Sequence, residues 1–206
     1  MANILILGKA GSGKDSIANY IVENFGYEKV IITVTRPKRE NEVNGKDYYF
    51  VGEDEFEQLK KDSQFALTAT FRGWNYGILK SETKKDKNLI FVLSPTWFFK
   101  IDSILDEYTS FYLDCDDGER MIRQFKRAKD IDEISRRNKT DMKDFIGIPE
   151  NVDFIVSSDT TIEDAADEIL WYMAYKDYYS DNYFLNIEKE ESVLSGVKII
   201  NSLFRI

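Results

Sequence analysis

Seven consecutive residues constrain this chain more than any others: Gly8-Lys9-Ala10-Gly11-Ser12-Gly13-Lys14. They match G-x-x-x-x-G-K, a loop whose backbone N–H groups curl around phosphate oxygens while the following helix adds the positive end of its dipole. The flanks agree with the match. The loop follows Asn3–Leu7, a continuously apolar run of the kind that forms a strand buried on both faces of a parallel sheet. It precedes residues 14–24, where Ile17, Ala18, Ile21 and Val22 share one stripe and predict an amphipathic helix. Gly8, Gly11, Ser12, Gly13, Lys14, Asp15 and Ser16 are therefore the candidate phosphate-binding residues, with Lys14 as the cation for the outer phosphates. One position departs from the pattern. The residue after the lysine is Asp15 and not a hydroxyl, so a magnesium contact is expected at Ser16 or Asp15, in part through water.

The pattern downstream predicts alternating strands and helices, hence an α/β fold with a parallel sheet and right-handed crossovers. Residues 30–34, 89–93, 111–113 and 153–156 read as buried strands, and 96–105, 119–127 and 161–175 as helices. Between them, residues 35–47 read as a polar loop. Residues 48–80 read as a small strand-rich insertion: strands at 48–51 and 64–71, with a short helix at 53–61. The expected division is a core of residues 1–34 and 81–177, an insertion of 35–80, and an extension of 178–206 with no role assigned. The apolar part of that extension, 193–204, is suited to packing on the domain or on a partner.

Charge and composition exclude some functions. Acidic residues outnumber basic ones 37 to 28, and a net charge of −9 argues against general binding to a nucleic-acid polyanion. There is no histidine, which removes imidazole-based catalysis and histidine metal ligands. Phosphoryl transfer survives, because it depends on positioning and charge neutralisation. One cysteine, Cys115, cannot form an internal disulfide, and no run of about 18 apolar residues is present, so no membrane span and a cytoplasmic location are expected.

A second constellation follows. Thr35-Arg36-Pro37-Lys38-Arg39, then Glu42-Val43-Asn44-Gly45-Lys46-Asp47-Tyr48-Tyr49-Phe50, resembles the guanylate kinase segment T-R-x-x-R-x-x-E-x-x-G-x-D-Y-x-F. Asn75-Tyr76-Gly77 resembles the family's Y-Y-G turn. The resemblance implies a P-loop kinase core with a nucleoside-monophosphate-binding insertion and a helical lid at about 123–145. It implies ATP and Mg2+ as cosubstrate and cofactor. It also implies that Arg36, Arg39, Tyr48 and Tyr76 grip the acceptor phosphate, which suits the bidentate chemistry of guanidinium and phosphate. Arg123, Arg127, Arg136 and Arg137 fall where such kinases carry lid arginines. Of these, Arg127, Arg136 and Arg137 are, with Lys14, the expected catalytic groups.

The likeness stops at the base pocket. Counted back from Tyr76, the family's guanine-reading glutamate falls on Leu67, and the hydroxyl after the Y-G pair falls on Ile78. A site that hydrogen-bonds a base discriminates by orders of magnitude, and an apolar one does not. Either the base is not guanine, or Thr68 or Thr70 reads it. The expected function is transfer of the ATP γ-phosphoryl to a (deoxy)nucleoside monophosphate, GMP or dGMP by family. The alternative is a non-catalytic module that binds a phosphorylated or acidic partner through the old acceptor site.

Overall fold

This computed structural model describes residues 3–40, 42–71, 73–84, 87–128 and 131–181. The extension from 182 on, including the apolar stretch 193–204, lies outside the described residues. Five strands form one parallel sheet: β1 (Asn3–Leu7), β2 (Glu28–Lys29), β7 (Leu89–Val92), β8 (Tyr108–Asp114) and β9 (Phe154–Ser157), in the order β2-β7-β1-β8-β9. Central strand β1 shows why its run is apolar throughout. Ile4 and Ile6 point to one face, against α1 (Lys14–Phe25) and α7 (Ile162–Asp181), where Ile17, Ile21, Ala166 and Ile169 meet them. Leu5 and Leu7 point to the other face, against Phe91, Trp97, Tyr112 and Phe145. Alternate side chains thus supply two cores from one strand.

Four more strands form a second sheet: β3 (Ile32–Val34), β4 (Tyr48–Phe50), β5 (Phe65–Phe71) and β6 (Trp74–Leu79), in the order β4-β3-β6-β5. The β3–β4 pair is parallel, and the β3–β6 and β5–β6 pairs are antiparallel. Helix α2 (Glu53–Lys61) covers one side of it, with Phe56 stacked on Phe65 at 4.5 Å between ring centroids. The Phe65 ring lies so close over Gly77 that a Cβ there would meet it at 2.4 Å, so that position in β6 has room only for glycine. Short α3 (Lys80–Thr83) returns the chain to the large sheet.

Three expected elements differ from those observed. Residues 30–34 do not form one strand. The Val30 N–H still donates to the Ile90 carbonyl in the large sheet, the Ile31 N–H donates to the Glu82 carboxylate, and Ile32–Val34 pairs in the small sheet. An apolar run reads the same whether it stays in one sheet or crosses between two, and here the small sheet starts at 32 and not after 34. Residues 74–79, taken as a turn around Asn75-Tyr76-Gly77, form the six-residue strand β6. The helix expected at 96–105 is a short α4 (Pro95–Phe98) followed by a 3-10 turn at Ile101–Ser103. There the Ser103 hydroxyl donates to the Lys100 carbonyl, competing with the regular helical ladder. Two helices, α5 (Asp117–Ala128) and α6 (Ile131–Asp144), fill the region expected to be the lid.

Candidate active site

The phosphate loop joins β1 to α1, at the end of the large sheet where all five strands point. Gly11 and Gly13 have φ of 86° and 89°, which side chains with a Cβ rarely adopt. A Cβ on Gly11 would also meet the Arg120 carbonyl of α5 at 2.6 Å. Ser12 is fully buried inside the loop. Lys14 and Asp15 open α1. Asp15 is paired with Lys29 at 3.2 Å, with 59% of its side chain accessible. The surrounding cleft walls push its carboxyl up, but Lys14 above all, then Lys29 and Arg127, outweigh this and hold it below its ordinary pKa.

Opposite the loop stands one face of the small sheet. Register decides which side chains share it. Tyr48 pairs with Ile32, Val34 with Phe50 and Tyr76, and Leu67 with Ile78. These residues therefore lie on one face, and Arg36 follows two residues beyond Val34 on the same side. Arg36, Tyr48, Tyr76 and Leu67 are thus gathered from four segments that the sequence separates by up to 40 residues. The Arg36 guanidinium lies 4.7 Å from the Tyr48 ring centroid and 5.4 Å from that of Phe50.

Glu42 organises the arginines. Its two oxygens accept a fork from Arg36, at 2.7 Å from Nη1 and 2.5 Å from Nη2. The same carboxylate accepts the Arg39 backbone N–H at 2.9 Å and Arg39 Nη1 at 3.3 Å. Burial raises the Glu42 carboxyl, yet these bonds outweigh it and keep the group below the usual carboxylate range. Burial and the like charges of Arg36 and Arg137 lower the Arg39 guanidinium. Burial, then the Asp15 carboxylate, pushes the Tyr48 phenol up to about 12. These mutual influences link three parts of the fold. The Asp15 charge of the loop acts on Tyr48, the Arg127 charge of α5 on Asp15, and the Arg137 charge of α6 on Arg39.

The remaining expected residues divide. Arg123 is beside the loop, 3.9 Å from the Cβ position of Gly13, and donates to the Ser158 carbonyl and to Glu119. Arg136 is exposed and forks onto Glu133, which also accepts from half-buried Arg137. Leu67 is half-buried and packs against the same core cluster in which Ile78 is fully buried. Ile78 therefore offers no accessible surface for a base. Thr68 and Thr70 are on the opposite face, where Thr70 donates to the Asn75 side chain, which in turn donates to Glu53 of α2. A guanine reader at either threonine would have to reach through the sheet.

Sequence reasoning left several residues without a role. Glu42 was legible as part of the motif, though not as the clamp between Arg36 and Arg39. Arg120, Gln124, Asn138 and Asp141 carried no signal in the sequence, since only the folded chain brings α5 and α6 against the loop.

The guanylate kinase family model matches residues 1–93. The chain is similar to the guanylate kinase of Malacoplasma penetrans, with 29% identity over 179 residues, covering 81% of this chain and 89% of that protein. With the guanylate kinase of Ehrlichia ruminantium it shares 30% identity over 144 residues, covering 66% of this chain and 69% of the relative. The chain belongs to the guanylate kinase family. Its fold agrees: the crystal structure of guanylate kinase from Anaplasma phagocytophilum superposes with a TM-score of 0.64 over 85% of this chain and 86% of that one, at 24% identity. As a family member the chain is an enzyme of the nucleoside monophosphate kinase class, built on a P-loop core whose parallel sheet is flanked by helices. Among the described residues no helix is long and apolar enough to cross a membrane.

Proposed function

We propose that this enzyme transfers the γ-phosphoryl group of ATP to a (deoxy)nucleoside monophosphate whose base is not selected as guanine. The supporting observation is the single cleft face that carries Arg36, Tyr48, Tyr76 and Leu67 opposite the loop of Lys14. In this reading the loop amides and Lys14 hold the triphosphate. Arg36, Arg39, Tyr48 and Tyr76 hold the acceptor phosphate, with the small sheet as acceptor subdomain and α5–α6 as lid. Arg127 and Arg137 neutralise charge that develops on the transferring group. Lys14 does the same from the other side. Arg136, forked onto Glu133, contributes by fixing the position of that carboxylate beside Arg137.

The donor set fits Mg2+. Magnesium uses one or two protein oxygens and takes the rest from phosphates and water. Asp15, held ionised, and Ser16 supply such oxygens at the start of α1. When bound, the ion would be held by Asp15 and Ser16 and would offset phosphate charge.

Base choice follows from Leu67. A leucine accepts no hydrogen bond, so the donors of guanine N1 and N2 would be left unpaired against it, at about 1–3 kcal/mol each. A coupled ADP-release assay across the common ribo- and deoxyribonucleoside monophosphates tests the whole reading. The expected result is turnover with little or no preference for GMP. Selectivity of about a thousandfold for GMP or dGMP would defeat the base assignment. Phosphopeptide binding with no turnover of any monophosphate would support the binding-module alternative.

A further inference from the structure

The residue Ala10, in the middle of the phosphate loop, is held at both of its peptide groups by the lid helices. Its N–H donates to Asp141 Oδ2 at 2.6 Å. Its carbonyl accepts from Arg120 Nη1 at 2.8 Å and from Gln124 Nε2 at 3.0 Å. Asn138 Oδ1 accepts from the same two side chains, at 3.1 and 3.4 Å. Arg120 and Gln124 are each 2% exposed, and Arg120 is completed by a bond from Nη2 to Asp117 at 2.5 Å. Positions 120 and 124 are one turn apart on α5, and 138 and 141 are one turn apart on α6, so both helices present a polar face to one residue.

Burying arginine and glutamine is costly unless their hydrogen bonds are met; all three Arg120 nitrogens are bonded and Gln124 Nε2 is too, while Gln124 Oε1 is buried with no partner among the described residues. Apolar packing would hold two helices together without that cost, but it would leave their register on the loop loosely defined. A connected polar ring accepts one geometry. Gln124 is three residues before Arg127 on α5, and Asn138 directly follows Arg137 on α6. Fixing the ring therefore fixes both arginines relative to the phosphates.

We propose that Arg120, Gln124, Asn138 and Asp141 form a latch that docks the lid on the phosphate loop, with Asp141 as a positioning residue for Arg127 and Arg137. The latch deepens the phosphotransfer reading and depends on it only for the kinetic half of the test. Asp141 is the member to remove, because it is half-buried and its loss leaves the Arg120 bonds intact.

Asp141→Ala and Asp141→Asn are compared with the full-length wild type. Hydrogen exchange at the Ala10 amide, measured without nucleotide, needs no activity. Exchange in Asp141→Ala should be at least about tenfold faster than in the wild type, and Asp141→Asn, which still offers an acceptor oxygen, should restore most of the protection. In turnover, Asp141→Ala should lower kcat at least about tenfold while the acceptor KM changes less than about threefold, because the arginines act in the transition state. Asp141→Asn should recover most of that loss. Unchanged exchange at Ala10 overturns the latch. Faster exchange with unchanged kcat overturns its positioning role, and so does a faster enzyme, which would make the contact a brake on lid opening. If the wild type turns over no monophosphate, the phosphotransfer reading has failed, and the exchange result still decides whether the latch exists.

Discussion

At the scale of single residues, each proposed phosphate contact has its own signature. In the proposed reading Lys14 balances charge that grows along the reaction, so Lys14→Ala should lower turnover at least about a hundredfold while thermal unfolding stays near wild type. Wild-type turnover in that variant would remove the loop from the mechanism. In the same reading Arg39 meets the acceptor and not ATP; its side chain is 55% exposed, so losing that charge-assisted contact should cost about 1.5–3 kcal/mol and not the full cost of a buried pair. Arg39→Ala should therefore raise the acceptor KM by at least about tenfold and leave the ATP KM nearly unchanged, whereas equal effects on both would mark a general electrostatic or folding role. Glu42 behaves differently, because it braces Arg36 inside the protein. Its folded pKa is depressed, so its stabilisation is present above the ordinary carboxylate range and is lost only as pH falls through the lower folded value. Tyr48, at about 12, stays protonated over the same span. With no histidine in the chain, the acceptor kcat/KM between pH 5 and 9 should follow one ionisation, that of the substrate phosphate near about 6. A second inflection in that range would reveal an ionising group that the site does not contain. Leu67→Glu should shift preference toward guanine, since it supplies the missing acceptor on the cleft face.

Elements explain what the sequence could and could not convey. The loop, β1 and α1 were legible because motif, apolar run and amphipathic stripe lie within 25 consecutive residues and share one physical cause. The segment from Thr35 to Phe50 was legible as one local unit because its charges and turn residues are close in sequence: Asn44 accepts the Phe50 N–H and Asp47 accepts the Val43 N–H. Strand β6 was hidden because its Asn-Tyr-Gly reads as a turn unless Phe65 is known to cover Gly77. The crossing at 30–34 was hidden for a related reason: buried Glu82 supplies the acceptor for the Ile31 N–H where the chain is between sheets, and nothing near residue 31 announces it. Ile78 shows the limit of counting from a motif. The count assigned Ile78 to the base pocket, but burial depth depends on the large sheet behind it, which a count along the chain does not see. Leu67, its cross-strand neighbour nearer the edge, keeps the accessible position.

On the scale of the whole molecule, the proposed reading has the two sheets and helices α5 and α6 act through one cleft. Net charge is −9, yet Lys14, Arg36, Arg39, Arg127 and Arg137 converge there, and Arg39 and Arg137 repel each other in the absence of an anion. Anionic phosphates relieve that repulsion, so the loop site and the acceptor site should favour each other's occupation. A dinucleoside polyphosphate with five phosphates tests this, because it can occupy both sites with a single molecule. Tethering turns the second binding step into an intramolecular one with a high effective concentration, provided the geometry allows both ends to seat. Its Kd should lie at least about a hundredfold below those of ATP and of the monophosphate alone, and the thermal midpoint should rise correspondingly. Arg39→Ala should reduce the ligand's affinity toward that of ATP by about tenfold, since the acceptor end would then be held by Arg36, Tyr48 and Tyr76 alone. If the dinucleotide binds the wild type no more tightly than ATP does, the two phosphate sites are not in line across one cleft, and the small sheet must present Arg36, Tyr48 and Tyr76 to some other ligand.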